Sequence, residues 1–195
     1  RPFMDYMARC CYMLQQGRFV ADVFYYYGDQ APNFWPAFHD VPEKPLLEGL
    51  GQGYDYDVVN SDVILNRMSV KDGRIVLPDG MNYRILVLRD QSHMPLEVLK
   101  KIAELVKAGA TVVGPKPETV PGLKDFEARA QDLQTLAAEV WGPCDGKTQT
   151  KHLYGAGRVF WGVTAREILA RDGIGPDFSR EDSGLDYIHR VVGDA

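Results

Sequence analysis

Short apolar runs, each too brief for a helix and most of them followed by helix-patterned sequence, limit what this 195-residue chain can fold into. Residues 19–26, 84–88 and 110–113 are nearly continuous apolar stretches. A strand that reads apolar on both faces is one covered on both faces. Residues 54–60 and 158–162 read as two more strands. Between them the period changes to that of a helix. Over residues 95–108, Pro95 suits the first turn, and Val98, Leu99, Ile102, Leu105 and Val106 form one stripe. Residues 124–140 repeat the pattern, with Phe126, Ala130, Leu133, Leu136, Ala137 and Val140 expected inward. Thr164 and Glu167 have capping-box spacing for a helix through Arg171. Ser61 is placed to cap a short helix through Leu65. Residues 2–16 read as a helix with Phe3, Met7, Cys10, Cys11 and Leu14 on one side, closed by Gly17.

Strands alternating with helices imply right-handed crossovers and a mainly parallel sheet. The expected class is α/β, flavodoxin-like or class I amidotransferase-like, with helices on both faces. Residues 68–77 form a small β-hairpin insertion around Asp72-Gly73, a favoured tight-turn pair. A second turn signal follows at Pro78-Asp79-Gly80. Residues 29–53 are a long irregular stretch with four prolines, and loops of this length in compact domains usually serve function.

The formal net charge of −5 disfavours non-specific nucleic-acid binding. No apolar run is long enough to cross a bilayer. Three cysteines, two of them the adjacent Cys10 and Cys11, do not make a disulfide framework. The chain opens on Arg1, and the expected true N-terminus lies upstream.

Several chemistries lack their parts. No G-x-G-x-x-G or P-loop lysine follows the first strand, and Gly49-Leu50-Gly51-Gln52-Gly53 precedes a strand rather than a helix. An amidotransferase-like hydrolase needs an activated cysteine at a strand-to-helix turn, and the turns at residues 89–92 and 114–117 contain none. Ser92-His93 is a poor nucleophile and base, because sequence neighbours rarely aim at each other. His39, His93, His152 and His189 show no metal-ligand spacing. Catalytic residues and metal ligands are therefore not assigned on this chain.

The richest polar cluster is Tyr54-Asp55-Tyr56-Asp57, with Asn60 and Asp62 behind it. Alternate strand residues share a face, so Asp55 and Asp57 point the same way. Paired carboxylates can serve acid–base work, hold a hard cation or bind sugar hydroxyls. Their plainer role is a solvated strand end whose carboxylates favour the following helix.

A set of segments resembles one family. These are Tyr6-Met7-Ala8-Arg9, Met13-Leu14-Gln15-Gln16-Gly17-Arg18, Ala21-Asp22-Val23 and Gly53-Tyr54-Asp55-Tyr56-Asp57. They continue through Asp72-Gly73-Arg74, Leu77-Pro78-Asp79-Gly80 and Tyr83-Arg84-Ile85-Leu86-Val87-Leu88. Gly109-Ala110-Thr111-Val112-Val113-Gly114-Pro115, Gly157-Arg158-Val159 and Asp186-Tyr187-Ile188-His189-Arg190 complete them. In order and spacing they resemble the part of glycoside hydrolase family 106, the α-L-rhamnosidases, that follows the catalytic barrel.

The resemblance implies a large, exported bacterial enzyme, periplasmic or secreted, that hydrolyses terminal rhamnosides by an inverting, calcium-assisted reaction. It places the acid/base pair on the barrel, upstream of Arg1, and leaves no cofactor in this segment, calcium belonging to the full-length enzyme. Residues 1–17 are then the terminal helix of a preceding barrel, 18–180 the α/β domain and 181–195 the start of a β-rich domain. Its partners are rhamnose-containing glycans and the missing barrel and β-sandwich of the same chain, with no nucleic acid and no membrane. Tyr54, Asp55, Tyr56 and Asp57 are the residues expected to touch substrate. The alternative is a non-catalytic sugar-binding or oligomerisation module of amidotransferase-like fold.

Overall fold

A computed structural model describes residues 1–29, 49–89, 92–179 and 187–193. Most of the 29–53 stretch, with His39, lies outside the described residues.

The centre is a six-stranded sheet. β2 (Val23–Tyr26) is buried at all four positions and pairs in parallel with β3 (Tyr56–Val59) on one side and β7 (Ile85–Leu88) on the other. β7 pairs in parallel with β8 (Thr111–Val113), and β8 with β10 (Gly157–Phe160). β9 (Lys151–Tyr154) closes the edge antiparallel to β10. The spatial order is β3-β2-β7-β8-β10-β9, so five strands run in parallel and one against them. The continuous apolar runs arise from this arrangement, since helices cover both faces of the sheet.

One face packs on α2 (Ser61–Arg67), α3 (Leu96–Lys107) and α4 (Phe126–Trp141). Leu99, Ile102 and Val106 of α3 are fully buried there, as are Leu133, Ala137 and Trp141 of α4. The Trp141 indole donates to the Gly114 carbonyl at 3.0 Å, so the largest core side chain keeps its polar atom satisfied. The opposite face packs on α5 (Ala165–Arg171), through Ala165, Ile168 and Leu169, together with Leu50 and Tyr54. The Thr164–Glu167 capping box that opens α5 is present as expected.

The expected hairpin is β4 (Ser69–Lys71) and β5 (Arg74–Val76), turning at Asp72 (φ 52°) and Gly73 (φ 75°). The turn at residues 78–80 returns the chain as β6 (Asn82–Tyr83), so the insertion has three strands. Tyr83 stacks on Phe24, with ring centroids 3.9 Å apart, which fastens the insertion to the main sheet.

Four expectations need correction. The run 19–26 is two strands, because β1 (Arg18–Phe19) leaves the sheet and pairs antiparallel with β11 (Arg190–Val191). The break falls before Val23, where the Asp22 amide donates to the Asp55 carbonyl at 3.1 Å. The edge strand β9 went unread because its Lys151 and Leu153 face solvent and it has no apolar run. Phe126, expected inward, opens α4 at 42% exposure. The cap of α2 is Asn60, whose side chain accepts from the Val63 amide at 3.1 Å, and Ser61 is the first helical residue.

α1 (Pro2–Gln15) is a helix as expected, but none of its residues is buried. Phe3 is 69% exposed and Met13 68%.

Candidate functional site

The parallel strands start near one another, and their amino ends gather the polar cluster read from the sequence. Asp55 lies just before β3, and Tyr56 and Asp57 open it. The three residues border an open cavity of about 530 Å³, lined also by Leu14 from α1, Phe19 from β1, and Tyr187 and Ile188 from the chain before β11.

The segment that carries Tyr187 and Ile188 is clasped. Val20 donates its amide to the His189 carbonyl at 3.0 Å. The Arg190 guanidinium donates to the Gly17 carbonyl at 2.7 Å and to the Gln16 carbonyl at 2.5 Å. These carbonyls follow the C-terminal end of α1, where a cation is favoured. Gly17 has φ 61°, and an added Cβ would lie 2.0 Å from the Val191 carbonyl, so only glycine fits this approach. His189 Nδ1 is 2.9 Å from an Asp177 carboxylate oxygen. The Asp177 amide donates to the Gly53 carbonyl at 2.7 Å, which ties the same clasp to the chain entering β3.

The four predicted residues divide. Tyr54 does not border the cavity. It is buried on the α5 face, its hydroxyl donates to the Ile174 carbonyl at 2.9 Å, and the Arg166 guanidinium lies 5.2 Å from its ring centre. Asp55 is buried, and one of its carboxylate oxygens accepts the Tyr56 amide at 2.9 Å. The Tyr56 ring meets Tyr25 edge-on at 5.4 Å, and burial raises its hydroxyl pKa, with Asp55 adding to the effect. Asp57 is half-buried and accepts the Tyr83 hydroxyl at 2.7 Å. It also borders a second cavity of about 400 Å³, walled by Tyr27, Val59 and Asn60. Burial first, and Asp57 second, push the Tyr83 hydroxyl far above its ordinary pKa, so it stays a neutral donor. Asp57 is thus the most accessible of the four carboxylate and tyrosine groups.

Just before β2, Asp22 accepts Arg84 Nε at 2.7 Å. Burial raises the Asp22 carboxyl above its usual range, and the Arg84 hydrogen bond opposes the rise. Sequence reasoning passed over Asp22, Arg84, Asp177 and Tyr187, which lie far apart in the chain. The only signal available for Asp22 was a lone carboxylate within an apolar run.

Ser92 Oγ and His93 Nδ1 do lie 3.0 Å apart, but neither borders the two cavities. Cys144 is buried, and burial raises its thiol pKa, which leaves less thiolate for nucleophilic attack. Among the described residues no group of three or more His, Cys, Asp or Glu side chains converges as a metal site would require. No described helix is long and apolar enough to cross a membrane.

An open, mostly parallel sheet with five described helices, and an acidic, aromatic cavity at its amino edge, defines a mixed α/β domain. The α-L-rhamnosidase profile of glycoside hydrolase family 106 matches residues 1–195, and the chain belongs to that family. A putative beta-glucuronidase of Formosa agariphila is 40% identical over 198 residues, covering all of this chain and 15% of that protein. The solved rhamnosidase of Novosphingobium sp. PP1Y superposes with a TM-score of 0.80 at 32% identity, covering 98% of this chain and 18% of that one. The chain therefore spans less than a fifth of the length of these relatives.

Proposed function

We propose that this chain is an accessory α/β domain of an α-L-rhamnosidase-type glycoside hydrolase that cleaves terminal rhamnosides, with the acid/base pair carried by other parts of the polypeptide. The observation that carries the reading is the family match over the whole chain, set against the 18% of the Novosphingobium rhamnosidase that the chain covers. The exposed apolar face of α1 supports it. Phe3, Met4, Tyr12 and Met13 are each more than half exposed. Apolar patches of this kind mark surfaces that another body covers. We assign the cover to the remaining polypeptide, a barrel before residue 18 and a β-rich domain after residue 180.

The fold is proposed to be flavodoxin-like. Numbered along the chain, the five parallel strands have the order 2-1-3-4-5, which supports the assignment. Calcium and an exported location, periplasmic or secreted, go with the same family reading and concern the full-length enzyme. Asp57 is the residue proposed to meet substrate, with Asp55 and Tyr56 shaping the cavity behind it.

The relative from Formosa agariphila carries a beta-glucuronidase name, which favours a second reading with a uronic acid in place of rhamnose. Assay of the full-length polypeptide on aryl α-L-rhamnosides and aryl β-glucuronides separates the two. Turnover of the rhamnoside is expected, and turnover of the glucuronide alone would overturn the substrate assignment. In the same polypeptide, Asp57→Ala is expected to raise KM several-fold with kcat nearly unchanged, as loss of uniform binding does. Unchanged kinetics would remove the amino-edge cavity from the substrate path.

A further inference from the structure

The carboxyl edge of the sheet holds a second polar constellation that the family reading does not use. Open α/β sheets bind ligands outside the carboxyl ends of their strands, at the point where successive connections leave in opposite directions. Here the chain leaves β2 toward β3 on one side, and leaves β7 toward β8 on the other. The crevice between the ends of β2 and β7 is therefore the switch point. Tyr27, Gly28 and Asp29 follow β2, Arg89 follows β7, and Asn60 and Ser61 follow β3.

These residues are joined. The Tyr26 hydroxyl and Ser61 Oγ lie 3.0 Å apart, and both hydroxyls contact the same carboxylate oxygen of Asp29. The other oxygen of Asp29 has no partner among the described residues, and the side chain is exposed. Arg89 reaches across the crevice, with Nη1 3.5 Å from the Tyr27 carbonyl. The second cavity ends beside this edge, with Tyr27 and Asn60 in its wall.

The chemistry selects among ligands. An anion would meet the Asp29 carboxylate. A hard cation takes six or more oxygen ligands, and among the described residues this crevice offers one carboxylate, Asp29. A neutral polyol suits this edge, because its hydroxyls can donate both to the second Asp29 oxygen and to Ser61 Oγ, whose own proton goes to Asp29. We propose that the crevice at the carboxyl ends of β2 and β7 binds a neutral monosaccharide ring, whose hydroxyls donate to the second oxygen of Asp29 and to Ser61 Oγ. The assignment rests on topology and contacts, and takes only its first probe from the rhamnoside reading.

Amide chemical shifts of the 195-residue chain, titrated with L-rhamnose, D-glucose and inorganic phosphate in separate series, test it. Saturable shifts at Gly28, Asp29, Ser61 and Arg89 are expected with at least one sugar. Asp29→Asn should weaken that binding at least about ten-fold, the scale of a charge-assisted hydrogen bond. Ser61→Ala should weaken it less, and Asp132→Asn on the exposed face of α4 should leave it unchanged. A response to D-glucose without L-rhamnose keeps this site and counts against the rhamnoside reading. Rhamnoside hydrolysis by the full polypeptide without any sugar response at these amides keeps that reading and overturns this site. Binding unaffected by Asp29→Asn in a variant whose remaining spectrum is unchanged, or a response to phosphate alone, also overturns it.

Discussion

Asp22 joins three strands through its own atoms. Its amide donates to Asp55 before β3, and its carbonyl accepts the amides of Arg84 and Ile85 at the start of β7. Its carboxylate holds the Arg84 side chain. Removing Arg84 leaves a buried carboxylate without its strongest partner. Arg84→Met is expected to lower unfolding free energy by about 1.5–3 kcal/mol, the range for hydrogen bonds to charged groups, measured by urea denaturation. A change within error would show that Asp22 is satisfied without the guanidinium.

Asp145 gives a residue-scale test in pH. Its carboxylate accepts the Thr148 hydroxyl and the amides of Lys147, Thr148 and Gln149, and the hydroxyl bond first, then the amides, depress its pKa well below the usual carboxylate range. A depressed folded pKa stabilises the fold fully above the unfolded value of about 3.9, and the contribution fades as pH falls through the folded value. The stability difference between the native chain and Asp145→Ala should therefore be constant near neutrality and shrink below about pH 4. A difference that stays the same into strong acid would contradict the hydrogen-bonded carboxylate.

At the scale of elements, α3 and the strands β7 and β8 were legible because burial alone decides them. Seven residues of α3 are buried, and all five of its predicted stripe residues are among them. Leu99 is fully buried in that interface. Leu99→Ala is expected to cost about 2–5 kcal/mol, read from thermal or urea unfolding, and a cost below 1 kcal/mol would mean that the site collapses around the cavity. The elements that escaped sequence reading are those set by distant partners. Nothing local divides β1 from β2, since the division depends on Asp55, Arg84 and the pairing with β11. β9 is half exposed and takes its form from β10. The candidate site shows the same split. Tyr54 to Asp57 were visible as a cluster, but which of them reach a cavity depends on Tyr83, Leu14 and Tyr187. The Asp29–Ser61 contact spans 32 residues and left no pattern to read.

For the whole molecule, both faces of the sheet bury large cores, while α1 stays exposed and is fastened through Arg190 and the β1–β11 pair. The molecule is thus a packed α/β scaffold that carries an exposed apolar helix. In the proposed enzyme the scaffold shapes and supports the substrate path, and proton transfer belongs to the polypeptide that this helix meets. The most direct test compares turnover of an aryl α-L-rhamnoside by the purified 195-residue chain and by the full-length polypeptide at equal molar concentration. Hydrolysis by the full-length polypeptide is expected, and none above background by the chain alone. Hydrolysis by the 195-residue chain, abolished by substituting one of its own carboxylates, would contradict it.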